Sequence, residues 1–567
     1  MPTETDFVPP EIDCRDWSQI EPLVDDLLDR EFDSAESLER WLVERSDLES
    51  YIYETKSRLH VRMTCHTNDE DAQAAYRAFN ENIQPKFSEA SFKLNQKYYE
   101  CPFRDELDPR RYGVFDQGVA ADIEIFRDEN VPIETELSAL GQEHRKITGA
   151  QTVEFEGEER TFPAMAKFLE SPERGRRERA WRAIEDRRLS DRDALREIFD
   201  QMVERRHRIA RNADFENFRD YSFIEKHRFD YSVAECEAFH KAVERHVVPV
   251  ARTISEVRRK ALGVSSYRPW DTAVDVKGRD PLDPFDSDVD RMIEGTQKVF
   301  RAMDHGLGDL FDRLRGPDSL DLDTRVGKAP GGYQTVFAVE RKPFIFMNAS
   351  GVGRDMRTLL HEAGHAFHTL LGGNDPLINY RHAPIEFCEV ASMTMELTAL
   401  PWLDQVYTSD EEADRARRVQ LEGIIRILPW IAQIDAFQHW IYTNPNHSHD
   451  EREDTWLDLE QRFGSGVDWS GLEDHRRESW QRQLHLYHYP FYYIEYGIAQ
   501  IGALQIWLNY RQDPESAIAQ YKAGLALGGS RPLPELFQTA GATFDFGSST
   551  ISEVVTEVQQ ELEKLPV

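Results

Sequence analysis

The segment Thr358-Leu-Leu-His-Glu-Ala-Gly-His-Ala-Phe-His368 leaves little choice of structure. Leu359, Leu360, Ala363, Ala366 and Phe367 give it an apolar face at helical spacing, as a buried helix requires. Within it stands His361-Glu362-Ala363-Gly364-His365, an H-E-x-x-H box. Residues four apart on a helix lie one turn above each other on one face. His361 and His365 therefore point two imidazoles at one place, where both can bind a zinc ion. Glu362 projects beside them, positioned to take a proton from water that the ion activates. The stretch before it, Pro343-Phe-Ile-Phe-Met-Asn-Ala349, is an apolar run that predicts a strand.

At 567 residues the chain can bury one large core or two to three smaller ones, and 40% hydrophobic residues predict a folded globule. A formal net charge of -35 argues against nucleic acid or an anionic membrane as partner. No apolar run approaches a membrane span, and the first residues lack the basic and apolar regions of a secretory signal. Cys14, Cys65, Cys101, Cys236 and Cys388 are scattered without a C-x-x-C pair. They predict free thiols in a reducing cytoplasm.

Residues 12 to about 150 read as helices that form a wall and carry no chemical motif. Two alternating runs around Glu156-Gly157 predict a small hairpin. Residues 172–212 are rich in Arg, but acidic residues interleave at helical spacing, which predicts an ion-paired, solvated face. Val233 to Leu262 reads as one long helix. Gly327-Lys-Ala-Pro-Gly-Gly-Tyr333 lacks the Walker spacing and fits a tight loop entering a hairpin. The strands expected there are Gln334–Val339 and Pro343–Ala349. The His-containing run Asn444–Asp450 reads as a polar loop.

A catalytic zinc takes three protein ligands and leaves a place for water. The next helix offers Glu386, Glu389 and Glu396 on one face, and helical spacing alone does not choose among them. A neighbouring carboxylate can also orient a ligand imidazole. A second constellation is His485-Leu-Tyr-His-Tyr-Pro-Phe-Tyr-Tyr-Ile-Glu-Tyr496. If Pro490 sits in a first helical turn, Tyr489, Tyr493 and Tyr496 share a face. Neutral Tyr or His donors aimed at the oxyanion of peptide hydrolysis lower its barrier, whereas a core aromatic patch is the plainer reading of the same residues.

The H-E-A-G-H box, Phe387-Cys-Glu-Val-Ala-Ser392, and His485 through Tyr496 resemble the thimet oligopeptidase and oligoendopeptidase F family of zinc metallopeptidases. The likeness is closest to its bacterial Pz-peptidase and oligoendopeptidase F branch. The resemblance implies Glu389 as third zinc ligand, in the Glu-Val-Ala-Ser segment 28 residues after His361. It implies Glu396 as the carboxylate behind the ligands, and His485, Tyr493 and Tyr496 as oxyanion donors, with Tyr489 beside the substrate. It also implies a mainly α fold: a large helical body with a deep channel for short unstructured peptides and a small β-sheet beside the zinc helix.

The expectation is thus a cytoplasmic zinc oligoendopeptidase with one Zn²⁺ per chain. Residues 1–190 would form a helical channel wall and 191–567 the catalytic domain. The run Phe344, Ile345, Phe346 would pair with the substrate backbone as an added strand. The alternatives are a zinc carboxypeptidase or dipeptidyl carboxypeptidase, and a non-catalytic peptide-binding protein of the same fold.

Overall fold

Helices form where apolar residues recur at helical spacing behind a capping side chain. Asp16, Asp69 and Asp288 each accept a main-chain N–H at the start of Trp17–Asp29, Glu70–Asn82 and Val289–Met303. The computed structural model describes residues 6–316 and 318–567, and these are mainly α-helical with short strands between. The chain forms two compact units, each built from separate stretches.

The first unit comprises residues up to Ile123, Asp283–Asp410 and Gly502–Phe544. Its N-terminal helices close over a core that includes Trp41, Phe79, Phe87 and Tyr98. The 31-residue helix Ala35–Cys65 lies beside a three-stranded sheet, with Val61 and Cys65 packed against Phe337, Phe344 and Phe346. The sheet's order is Leu320–Asp323, Lys342–Ala349, Tyr333–Phe337. Leu320–Asp323 pairs parallel with the central strand and Tyr333–Phe337 antiparallel.

This order corrects one expectation. Ile345 faces Leu320 on one side and Gln334 on the other, and Phe346 faces Asp321 and Tyr333. Both edges of the strand are therefore occupied, and Phe344, Ile345 and Phe346 are buried. A substrate cannot add to a strand whose main-chain groups are already paired on both sides. The strand supports the next element instead. Asp355 accepts from the main-chain N–H of Ser350 at 2.7 Å, which closes the start of helix Gly353–Gly372.

The second unit comprises Glu124–Leu282, Glu411–Ile501 and Asp545–Val567. The hairpin Thr152–Phe155/Glu158–Thr161 turns on Glu156 and Gly157, both left-handed as a two-residue hairpin turn requires. The expected helix over 233–262 is two helices, Val233–His246 and Val248–Ala261, because Pro249 has no N–H to continue the first. The Arg-rich segment pairs internally, as Arg182 with Glu178 and Arg187 with Asp191. One member departs from the solvated face. Arg177 is buried, and with Arg174 it binds the fully buried Asp271 at 2.8 and 2.7 Å.

Candidate active site

Helix Gly353–Gly372 buries Leu359, Leu360, Ala363, Ala366 and Phe367 and turns its two histidines to one side. The His361 and His365 rings stand 4.9 Å apart and nearly perpendicular. Helix Ile385–Thr398 crosses directly against them, and Gly364 makes that crossing possible. A Cβ at position 364 would lie 2.5 Å from Ser392 Cα and 2.6 Å from the Ala391 carbonyl oxygen. The second variable residue of the box is thus a contact between two backbones.

The crossing separates the three glutamates that spacing left equivalent. Glu389 Oε2 lies 3.4 Å from His361 Nε2 and 3.9 Å from His365 Nε2. The ligand atoms of His361, His365 and Glu389 all fall within 4.8 Å of one another. Glu396 Oε1 stands 2.8 Å from His361 Nδ1, on the far side of that ring. Glu386 is buried on the same helix. Ser392 donates to Glu389 Oε2 at 3.1 Å, and His365 donates to the main-chain carbonyl of Cys388. With these outer bonds made, both Nε2 atoms and Glu389 Oε2 converge. A tetrahedral zinc with bonds of about 2.0–2.2 Å needs neighbouring ligand atoms roughly 3.3–3.5 Å apart, so this donor set fits the ion after small adjustments.

The charges crowd here. Burial pulls the His361 imidazole down, but the Glu396 hydrogen bond and the charges of Glu396, Glu389 and Glu362 outweigh it and raise its pKa to about 9. Burial drives Glu362 up to about 7, with repulsion from Glu389 and Glu396 adding to the effect of burial. Burial also raises Glu389. A cluster of carboxylates whose neighbouring imidazole is driven to protonate is one that a cation would relieve, and metal binding would release that proton.

The second constellation gathers in the other unit. Tyr493 opens helix Tyr493–Gln512 and Tyr496 follows a turn later, with ring centres 5.6 Å apart. The His485 ring is 4.9 Å from Tyr493 and 6.2 Å from Tyr496. Gln483 holds the group together. Its Oε1 accepts from Tyr493 Oη at 3.2 Å and Trp430 Nε1 at 3.1 Å, and its amide nitrogen donates to His485 Nδ1 at 2.6 Å. Burial lowers His485 to about 4, so the ring is neutral at pH 7. With Nδ1 accepting, the remaining proton sits on Nε2. Tyr489 departs from expectation. Pro490 does not open a helix, Phe491 is left-handed, and Tyr489 lies before the helix, 52% exposed.

Gly364, Ser392, Gln483 and Trp430 were not picked out by sequence reasoning. Gly364 and Ser392 sit inside the two motifs and were available there. Gln483 and Trp430 carry no spacing signal, because their role depends on contacts between distant segments.

Comparison with known proteins places these features. Residues 167–554 match the model of peptidase family M3, and residues 7–126 match the peptidase M3 N-terminal domain. An oligoendopeptidase F homolog of Borreliella burgdorferi is 23% identical over 372 residues, covering 62% of this chain and 61% of that protein. The chromosomal oligoendopeptidase F of Lactococcus lactis subsp. cremoris is 26% identical over 157 residues, 28% of this chain and 25% of that one. These matched stretches span less than two thirds of the curated relatives. A solved Pz-peptidase A structure with an inhibitor superposes with a TM-score of 0.90 at 29% identity, covering 99% of both chains. With the family model spanning well over half of its residues, the chain belongs to peptidase family M3.

Proposed function

We propose that this chain is a zinc-dependent oligoendopeptidase that cleaves internal bonds of short, unstructured peptides. The observation that carries the reading is the convergence of His361, His365 and Glu389 within 4.8 Å, with the buried Glu362 beside them. The peptidase M3 match and the likeness to oligoendopeptidases F support it.

His361, His365 and Glu389 would hold the ion. When bound, zinc supplies Lewis acidity toward a peptide carbonyl and makes water nucleophilic near neutral pH. Glu396 fixes the His361 ring through Nδ1 so that Nε2 stays directed at the ligand position. Glu362 takes the proton of the attacking water and delivers it to the departing amine. Burial raises the Glu362 carboxyl from its ordinary range, and a carboxyl of raised basicity is suited to accept a proton and pass it on. The role we propose for His485, Tyr493 and Tyr496 is donation to the oxyanion, on the family resemblance and on the neutral His485 ring, with Tyr493 exchanging its bond to Gln483 for one to the substrate. The five cysteines are unbridged and buried, which supports a reducing cytoplasm as the proposed location.

Glu362→Gln tests the assignment. It keeps the side chain's shape and removes the base. The expected result is retained zinc with kcat lowered on the order of 10²–10⁴-fold. A variant with normal turnover would overturn the role of Glu362.

A further inference from the structure

We propose a second metal site, a buried Cys/Asp/His centre in the second unit, that takes a zinc-class divalent ion and serves structure. Cys236 lies on helix Val233–His246, and Asp435 and His439 stand one turn apart on the neighbouring helix Asp410–Thr443. Their ligand atoms all fall within 4.8 Å of one another, and all three residues are buried. His240, one turn after Cys236, places Nε2 2.7 Å from Asp435 Oδ2 and orients the carboxylate. His439 Nε2 is 3.3 Å from the same oxygen.

Two observations point to an ion and not only to a hydrogen-bonded network. Among the described residues His439 Nδ1 has no hydrogen-bond partner, although the residue is 93% buried, and Asp435 Oδ1 is likewise unsatisfied. Native interiors rarely leave a buried imidazole nitrogen or carboxylate oxygen without a protein partner, water or an ion. The charge also closes. A thiolate from Cys236 and the Asp435 carboxylate together carry two negative charges, which one divalent ion neutralises beside neutral His439. Thiolate and imidazole together favour zinc, cobalt or a similar ion over magnesium or calcium. Phe223 and Phe491 meet the His439 ring edge to face, giving the apolar surround in which such a centre excludes solvent. Binding exchanges protons for the ion: the Cys236 thiol proton is released to solvent, and no electron transfer is involved.

The test reads metal and sulfur directly. The purified chain is stripped with a chelator, loaded with Co²⁺ and passed through a desalting column. The His361/His365/Glu389 set contains no sulfur, so a thiolate-to-cobalt charge-transfer band reports the second centre alone. The expected result is two equivalents of cobalt with that band. His361→Ala/His365→Ala should keep one equivalent and the band, whereas Cys236→Ser should keep one equivalent and lose it. One equivalent in the unsubstituted chain without a thiolate band would overturn the proposal, and this arm needs no variant to fold. A band that persists in Cys236→Ser would overturn it as well.

Discussion

Gly364→Ala is the perturbation with the clearest structural magnitude. The new Cβ would meet Ser392 Cα at 2.5 Å, where ordinary contact begins at 3.4 Å, so the two helices must part by about 0.9 Å at this point. The opposing atoms are main chain and cannot rotate away. Overpacking of this kind costs about 1–3 kcal/mol, and the better helix propensity of Ala returns about 1 kcal/mol. Stability should therefore fall by up to about 2 kcal/mol. Activity should fall much more, because Glu389 rides on the displaced helix three residues before Ser392. A misplacement near 1 Å costs on the order of 100-fold in rate. Gly423 supplies the control: it lies inside helix Asp410–Thr443 with nothing within 4 Å of its virtual Cβ. Gly423→Ala should gain roughly 0.5–1 kcal/mol and leave turnover unchanged. Peptide kinetics, metal affinity by chelator competition, and thermal midpoints of both variants decide the matter. Wild-type kinetics and metal affinity in Gly364→Ala would refute the reasoning.

Three further outcomes follow from the same geometry. Glu396→Ala frees His361 Nδ1, and metal affinity should drop about 10–100-fold in a chelator titration while the fold persists. Arg177→Met removes a buried partner of the fully buried Asp271, and urea unfolding should show a loss of about 3–5 kcal/mol, reduced to the extent that Arg174 compensates. Burial against Tyr487 lowers His144 from the usual imidazole range to about 4, so the unfolded chain takes up the proton first as pH falls. That stability is present above about pH 6.5 and is lost between 6.5 and 4. His144→Gln should remove about 3 kcal/mol of this pH dependence in unfolding measured at both ends of the window.

The metal box was legible because its ligand spacing equals one helical turn and its helix is plainly apolar on the other face. The identity of the third ligand was not legible from the residues alone. Glu386, Glu389 and Glu396 share a helix face, and the Gly364 crossing decides which reaches both imidazoles. Family resemblance pointed to Glu389, and the geometry brings that residue to the pair. Pro343–Ala349 read correctly as a strand, since an apolar run bounded by turns is a local signal. Its central position was hidden because Leu320–Asp323 is only four residues long and half acidic. Tyr489 was misplaced because Pro490 is compatible with both a helix start and a turn, and the left-handed Phe491 selects the turn. The Cys236–Asp435–His439 cluster joins residues 199 and 203 apart in sequence, which no local pattern connects.

The central claim is internal cleavage by a metal-dependent peptidase. The most direct measurement is digestion of an end-blocked, internally quenched short peptide, with products mapped by mass spectrometry, with and without o-phenanthroline and beside Glu362→Gln. The account predicts cleavage at internal bonds, abolished by the chelator and restored by added zinc, and lost in Glu362→Gln. Metal-loaded protein that leaves the blocked peptide intact while trimming one with free ends would contradict it.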